Sequence, residues 1–278
     1  MEPRIIVTLL RKEVNDSLKN RWFVLYASVF AGLALLLSWL SLSGGGIGYS
    51  GFASFGRTAA SLVNLVSLIV PLMALTVGAG SLAGEQERGT LNYLLSQPVS
   101  RAEVLLGKYL GLAASLLGAL GLGFGLSGLV IAGRGGQTDA SAYGLLVAFA
   151  FALALGMLSL SFLVGVLARK ATVATSVTLF LWLTLVFGGD LGLMGTALAF
   201  KLPISTLFHL ALINPLQVFK MSSLISINAT LDVLGPAGIY AMQTYGQGLT
   251  RLFLGSLVTW VIIPLFASYV IFSQRGDV

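Results

Sequence analysis

GEQERGTLNYLLSQPVSRAEVLLGK, residues 84–108, separates two long uncharged runs, residues 58–84 before it and 109–133 after it. Either run exceeds the roughly 20 apolar residues that a helix needs to cross a bilayer core. The segment between them carries Glu85, Glu87, Arg88, Arg101, Glu103 and Lys108. Charges are costly in hydrocarbon, so a charged break between two such runs belongs in water at a membrane surface. That reading decides the fold class: an all-α integral membrane protein.

Composition agrees along the whole chain. Only 9% of the 278 residues are charged, against about a quarter in soluble domains, and 56% are hydrophobic. Mean hydropathy is +0.94. The absence of Cys removes disulfides, thiolate metal sites and cysteine nucleophiles, and the single His209 cannot form an imidazole cluster. A net charge of +6 needs no nucleic-acid partner if the basic residues sort by membrane side.

They do. The uncharged windows predict six spans, at about 22–42, 58–82, 107–132, 142–168, 171–194 and 250–273. Residues 1–21 mix Arg4, Arg11, Lys12, Lys19 and Arg21 with apolar residues at helical spacing, which predicts an interfacial helix leading into a retained first span. Arg and Lys number eleven on the side shared by residues 1–21, 84–108, the Arg169-Lys170 turn and the tail, against five on the other. By the positive-inside rule both termini are cytoplasmic and the 195–249 connection is periplasmic. Within it, residues 202–213 are apolar but too short to cross, and 216–248 reads as short amphipathic helices in an exposed connection, with a seventh span left open. The whole chain, 1–278, forms one transmembrane domain of a multi-pass inner-membrane protein.

Span three places small residues at every fourth position, including Gly107, Gly111, Ser115, Ala119, Gly123 and Ser127. Such steps let helix backbones approach closely. The stripe drifts around the helix by about 40° per step, so it predicts contact with several neighbours. Span four repeats the pattern more briefly at Ala148, Ala152 and Gly156. Ordinary bundling within one chain accounts for both stripes, with a dimer seam as the alternative.

Catalytic residues are not legible. No span holds a pair of carboxylates or a nucleophile beside a base, and the signature-like Leu42-Ser43-Gly44-Gly45-Gly46 lacks the phosphate-binding loop that a nucleotide site requires. The sole Gly-Lys pair, Gly107-Lys108, is followed by Tyr109. His209 and Asp190 read as interfacial polar residues, and Asn64, Ser159 and Ser161 as interhelical hydrogen-bonding groups. Energy for any work must come from another protein.

Residues 84–103 supply a means of receiving it. Leu91, Leu94 and Leu95 share a helical face, Thr90 is a candidate N-cap, and Pro98 stops the helix after about two turns. Glu85 and Glu87 precede it, where acids favour a helix N-terminus, and Arg88 and Arg101 flank it. A short helix with an apolar stripe and a charged rim suits a groove on a partner. The alternative is that the stripe folds against the chain's own bundle.

These residues resemble a known family. Glu85-x-Glu87-x-Gly89-Thr90-Leu91, Leu94-Leu95-x-x-Pro98-x-x-Arg101 and Leu106-Gly107-Lys108 are similar to the cytoplasmic coupling segment of ABC-2 type permeases. Arg11-Lys12-Glu13, Asp16, Asn20-Arg21-Trp22 and Pro71-Leu72-Met73-Ala74-Leu75 resemble its NosY-type branch, permeases of the transporter that matures nitrous oxide reductase. The resemblance implies a six-helix, type V exporter-like permease that pairs as a homodimer and binds a separate cytoplasmic ABC ATPase. ATP and Mg would lie in that partner, and this chain would carry no cofactor and no enzymatic activity. It further implies a periplasmic accessory protein and a role in copper-site maturation. Six scattered Met and no Cys speak against copper passing through the chain. An exporter of lipid, glycan or drug, or a membrane scaffold without an ATPase, are the alternatives, and the substrate itself is not written in the spans.

Overall fold

A computed structural model describes residues 3–43, 51–133, 140–200, 203–226 and 240–274, and every regular element among them is helical. Gly44, Gly45 and Gly46, as well as Arg134, Asp139 and Asp232, lie outside the described residues. The amphipathic α1 (Pro3–Lys19) is followed by α2 (Arg21–Ser43), α3 (Gly51–Glu87), the short α4 (Thr90–Leu95) and α5 (Arg101–Gly133). Next come α6 (Ala140–Leu167), α7 (Ala171–Phe200), α8 (Ile204–Ile213), α9 (Pro215–Ser226) and α10 (Leu249–Gln274). Six of these, α2, α3, α5, α6, α7 and α10, are long and apolar enough to span a membrane.

Asn20 separates α1 from α2 by capping chemistry. Its side-chain oxygen accepts from the backbone N–H of Trp22 at 3.0 Å and of Phe23 at 3.4 Å, satisfying donors that a helix start leaves unpaired. The charged helix can thus end at the interface and a greasy one begin. Pro71 and Pro264 both lie within continuous helices, as membrane helices tolerate.

Burial sorts the spans into centre and rim. About two thirds of the α3 window and 61% of the α6 window are buried, against 17% for α7 and for α10. Thus α3 and α6 form the centre. Around them, α10 packs on α6, α7 on α3, and α5 joins α1 to α2. Polar groups stitch these pairs: Tyr109 donates to the Leu155 carbonyl at 3.1 Å and accepts from Ser159 at 3.0 Å. The Ser38 and Ser127 hydroxyls meet at 2.5 Å, and Trp182 donates its indole N–H to the Leu68 carbonyl at 3.0 Å. Ser161 bonds the Leu158 carbonyl of its own helix, and Asn64 is exposed on α3.

The small-residue stripe of α5 meets two helices in turn. A Cβ at Gly107 would lie 2.7 Å from the Leu9 Cβ, one at Gly111 2.8 Å from the Leu10 carbonyl oxygen, and one at Gly123 2.5 Å from the Phe30 ring. The drift of the stripe carries it from α1 at one end to α2 at the other. Ser115 and Ala119 between them are buried. On α6, a Cβ at Gly156 would lie 3.4 Å from Trp260, whereas Ala148 is exposed.

The connection after α7 departs from an exposed chain of amphipathic helices. Leu216, Val218, Phe219, Ser222 and Ser223 of α9 are buried, and α9 packs against α6, α10 and α3. At 10 and 12 residues, α8 and α9 are too short to cross. Of the two, α9 is seated in the bundle, whereas α8 buries only Phe208 and Ala211. Asp190 lies within α7, not at its end, and pairs with Lys220 at 2.7 Å and with the Gln217 amide at 2.7 Å. Its carboxylate is therefore a tie between α7 and α9. His209 bonds the Ser205 carbonyl in its own helix.

Candidate functional site

The 84–108 segment is continuous with the bundle. Residues Glu85 and Glu87 do not precede α4 as free acids, because α3 continues through both. Gly89 then turns the chain with φ of 71°, a left-handed conformation that costs a residue with Cβ about 1–2 kcal/mol. Gly89, not Thr90, is the N-cap of α4, and no side chain caps that helix. Thr90 begins the helix and donates instead to the Glu85 carbonyl at 3.2 Å. Nothing lies within 4 Å of a Cβ at Gly89, so Gly89→Ala should cost only the backbone strain of about 1–2 kcal/mol. Faster amide hydrogen exchange across residues 84–100, with the transmembrane helices unaffected, is the measurement that checks it.

The leucine stripe faces home. Leu91 is 3% exposed, and Leu94 and Leu95 pack against the chain's own core. What α4 offers to water is Thr90, Asn92 and above all Tyr93, 72% exposed. The chain then enters α5 through a capping box that sequence reading passed over. Ser100 N–H donates to Glu103 at 2.9 Å, and Glu103 N–H donates to the Ser100 hydroxyl at 3.3 Å. The Ser-x-x-Glu spacing is its signature.

Both flanks of α4 are tied to other helices. Glu87 accepts from the backbone N–H of Ala171 at 2.9 Å, at the first residue of α7. There the acid meets the positive end of a helix other than the expected one. Arg101 donates to the carbonyls of Phe272 and Ser273, each at 3.2 Å. Those carbonyls belong to the last turn of α10, where a cation is favoured. Arg88 is exposed over Gly84.

Behind the segment lies a buried ion cluster. Lys108, 1% exposed, reaches Glu13 of α1 at 2.5 Å and Glu85 of α3 at 3.0 Å. Glu85 also accepts from Lys12 at 2.8 Å, and Glu13 accepts from Ser81 at 3.2 Å. Not all charges of the segment therefore sit in water: Glu85, Glu103 and Lys108 are buried. Two cations and two carboxylates compensate one another, the condition under which burying charge is tolerated. Burial works against the charge on Lys12, yet its hydrogen bond to Glu85 and the attraction of Glu85, Glu13 and Asp16 raise its pKa above the ordinary lysine value.

Glu13 was not among the expected site residues. The signal was present, because Leu9, Glu13 and Ser17 follow one another at four-residue steps and are the buried positions of α1. An acid in line with the apolar face of an amphipathic helix must find a cation inside. The arrangement contains no acid–base pair around a substrate and, among the described residues, no cluster able to hold a metal. What it can do mechanically is make α4, α1, α3, α5, α7 and α10 move together.

Comparison with known proteins agrees with this architecture. The family model described as ABC-2 family transporter protein matches residues 7–276. A relative from Stutzerimonas stutzeri, named "Probable ABC transporter permease protein NosY", is 29% identical over 273 residues, covering 96% of this chain and 97% of its own. A protein of the same name from Pseudomonas aeruginosa is 31% identical over 231 residues, covering 81% and 83%. With six helices among the described residues long and apolar enough to cross a membrane, and a family match spanning nearly its whole length, the chain belongs to the ABC-2 transporter family and is a multi-pass inner-membrane permease.

Proposed function

We propose that this permease couples ATP hydrolysis by a separate cytoplasmic ABC ATPase to transport or mechanical signalling across the membrane, in the copper-site maturation of nitrous oxide reductase. The observation that carries the coupling is the wiring of α4. Its leucines are seated in the bundle, Glu87 holds the start of α7, Arg101 holds the end of α10, and Glu85 joins the cluster with α1 and α5. A displacement applied to α4 thus passes to the end of α3 and the start of α5 on either side of it, whose Glu87, Arg101 and Glu85 are tied to α7, to α10 and, through Lys108 and its partner Glu13, to α1. The two relatives named NosY support the maturation role, in which two permeases pair and a periplasmic protein docks outside. Outward apolar faces on α2 and α7, including Leu25, Val29, Phe180 and Phe187, are available to lipid and to a second copy.

In this reading the partner grips Tyr93, not the leucines. Exposed tyrosines anchored on a rigid element are favoured binding hot spots, worth about 2 kcal/mol or more. Tyr93→Ala is expected to weaken co-purification with the ATPase about 30-fold, equivalent to that energy, while thermal unfolding of the permease stays put. Undiminished association would sink the assignment. Leu91→Asp, by contrast, should loosen α4 from its own bundle and lose both properties together. For the maturation role, cells lacking the permease should accumulate nitrous oxide reductase short of copper; substrate-stimulated ATPase activity in liposomes would favour export instead.

A further inference from the structure

A cavity of about 580 Å³ opens between α1, α2, α3, α5 and α7, beside the ion cluster. Its size falls in the range of sites that hold small molecules, about 300–1,000 Å³. Three features of its lining specify a ligand. Deep in it, Ser17 is 3% exposed, and its hydroxyl has no hydrogen-bond partner among the described residues. A buried hydroxyl left unpaired is costly, and a ligand oxygen would satisfy it. Of the charged residues that line it, Glu13 and Glu85 are compensated by Lys108 and Lys12, while Asp16, 3.9 Å from Lys12, and Arg88 are exposed and of opposite sign. One mouth with an anion and a cation matches a zwitterion.

The third feature is the wall. Trp22 and Tyr26 of α2 and Leu179 of α7 line the cavity. Further along the same two helices, Leu25 and Val29 of α2 follow Trp22 at helical spacing and Leu183 of α7 follows Leu179 by four residues, and all three are exposed. Trp and Tyr at a span's start mark the headgroup level of the bilayer. A polar pocket at that level, open to an apolar track along two spans, fits a headgroup with acyl chains attached better than a soluble metabolite.

We propose that this cavity binds a zwitterionic aminophospholipid of the cytoplasmic leaflet, of the phosphatidylethanolamine type. Its phosphate lies against Arg88 and the Ser17 hydroxyl, and its ammonium against Asp16. Phosphatidylglycerol shares the phosphate and the chains but has no ammonium, which makes it the discriminating control. The site is separate from Tyr93, so failure here would leave the ATPase-coupling reading intact.

The test is lipid retention by the full chain in nanodiscs holding equal amounts of phosphatidylethanolamine and phosphatidylglycerol, read by native mass spectrometry after release. Phosphatidylethanolamine is expected to be retained in several-fold preference. Asp16→Asn should abolish that preference, and Ser17→Ala should lower retention about fivefold, the worth of one ordinary hydrogen bond. Gly80 lines the cavity, and nothing lies within 4 Å of a Cβ placed there. Gly80→Leu should therefore fill the space without straining the backbone and expel the lipid. Equal retention of the two lipids would overturn the proposal, as would retention unchanged by both Gly80→Leu and Ser17→Ala. Displacement of the lipid by soluble glycerophosphoethanolamine would also overturn it, by showing that the site takes a free headgroup.

Discussion

Lys108→Met should destabilise the permease by about 3–5 kcal/mol, the cost of removing one partner from a buried ion pair. Methionine fills nearly the same volume, so packing is spared and the loss is electrostatic. Glu13, 4% exposed, keeps only Ser81 and a 3.7 Å approach from Lys12, while Glu85 keeps Lys12. The measurement is thermal or denaturant unfolding of the purified chain in detergent. A second substitution separates charge from shape: Glu13→Gln in the Lys108→Met background removes the orphaned carboxylate and should recover part of the loss. The two substitutions should couple strongly in a double-mutant cycle. Additive effects would mean that the cluster is solvated, contrary to its burial.

Gly111→Leu should have an effect of comparable size by another route. Its Cβ would lie 2.5 Å from the Glu13 Cβ and 2.8 Å from the Leu10 carbonyl oxygen. A flexible side chain could yield, but a helix backbone cannot, so α1 must lift away from α5. Overpacking of this kind costs about 1–3 kcal/mol and occasionally more, and here it also parts Glu13 from Lys108. The expected total is about 3 kcal/mol or more. The chain has no native Cys, which provides a direct readout. Leu9→Cys, buried in the native packing, should react slowly with a maleimide and become readily labelled when Gly111→Leu is added.

The fold was legible because lipid leaves few choices. Uncharged runs longer than a bilayer must be helices, and each charged break must be a surface turn or a buried pair. The family was legible for a related reason, since the Glu85–Lys108 motif is dense in residues that each make a distinct contact. Orientation of the short elements was harder. Leu91, Leu94 and Leu95 describe an apolar face but not what it meets, and an own bundle satisfies it as well as a partner does. Likewise α9 reads as a mixture because Lys220 is committed to Asp190 and Gln217 is tied to the same carboxylate. Those tertiary pairings free the remaining α9 residues for the interior. Glu13 shows the opposite case, in which helical spacing carried the information and an acid's usual preference for water obscured it.

The Arg101 contact with the end of α10 has a consequence for the order of events during synthesis. The two residues that supply the carbonyls follow Arg101 by 171 and 172 positions. They emerge only after four further spans have been made and threaded into the bilayer. Until then the guanidinium lacks these two carbonyls, and the start of α5 lacks its clasp on α10. In a ribosome-bound fragment or a truncated chain the corner between α4 and α5 is therefore unlatched from α10, and the latch closes only on a permease whose last helix is in place.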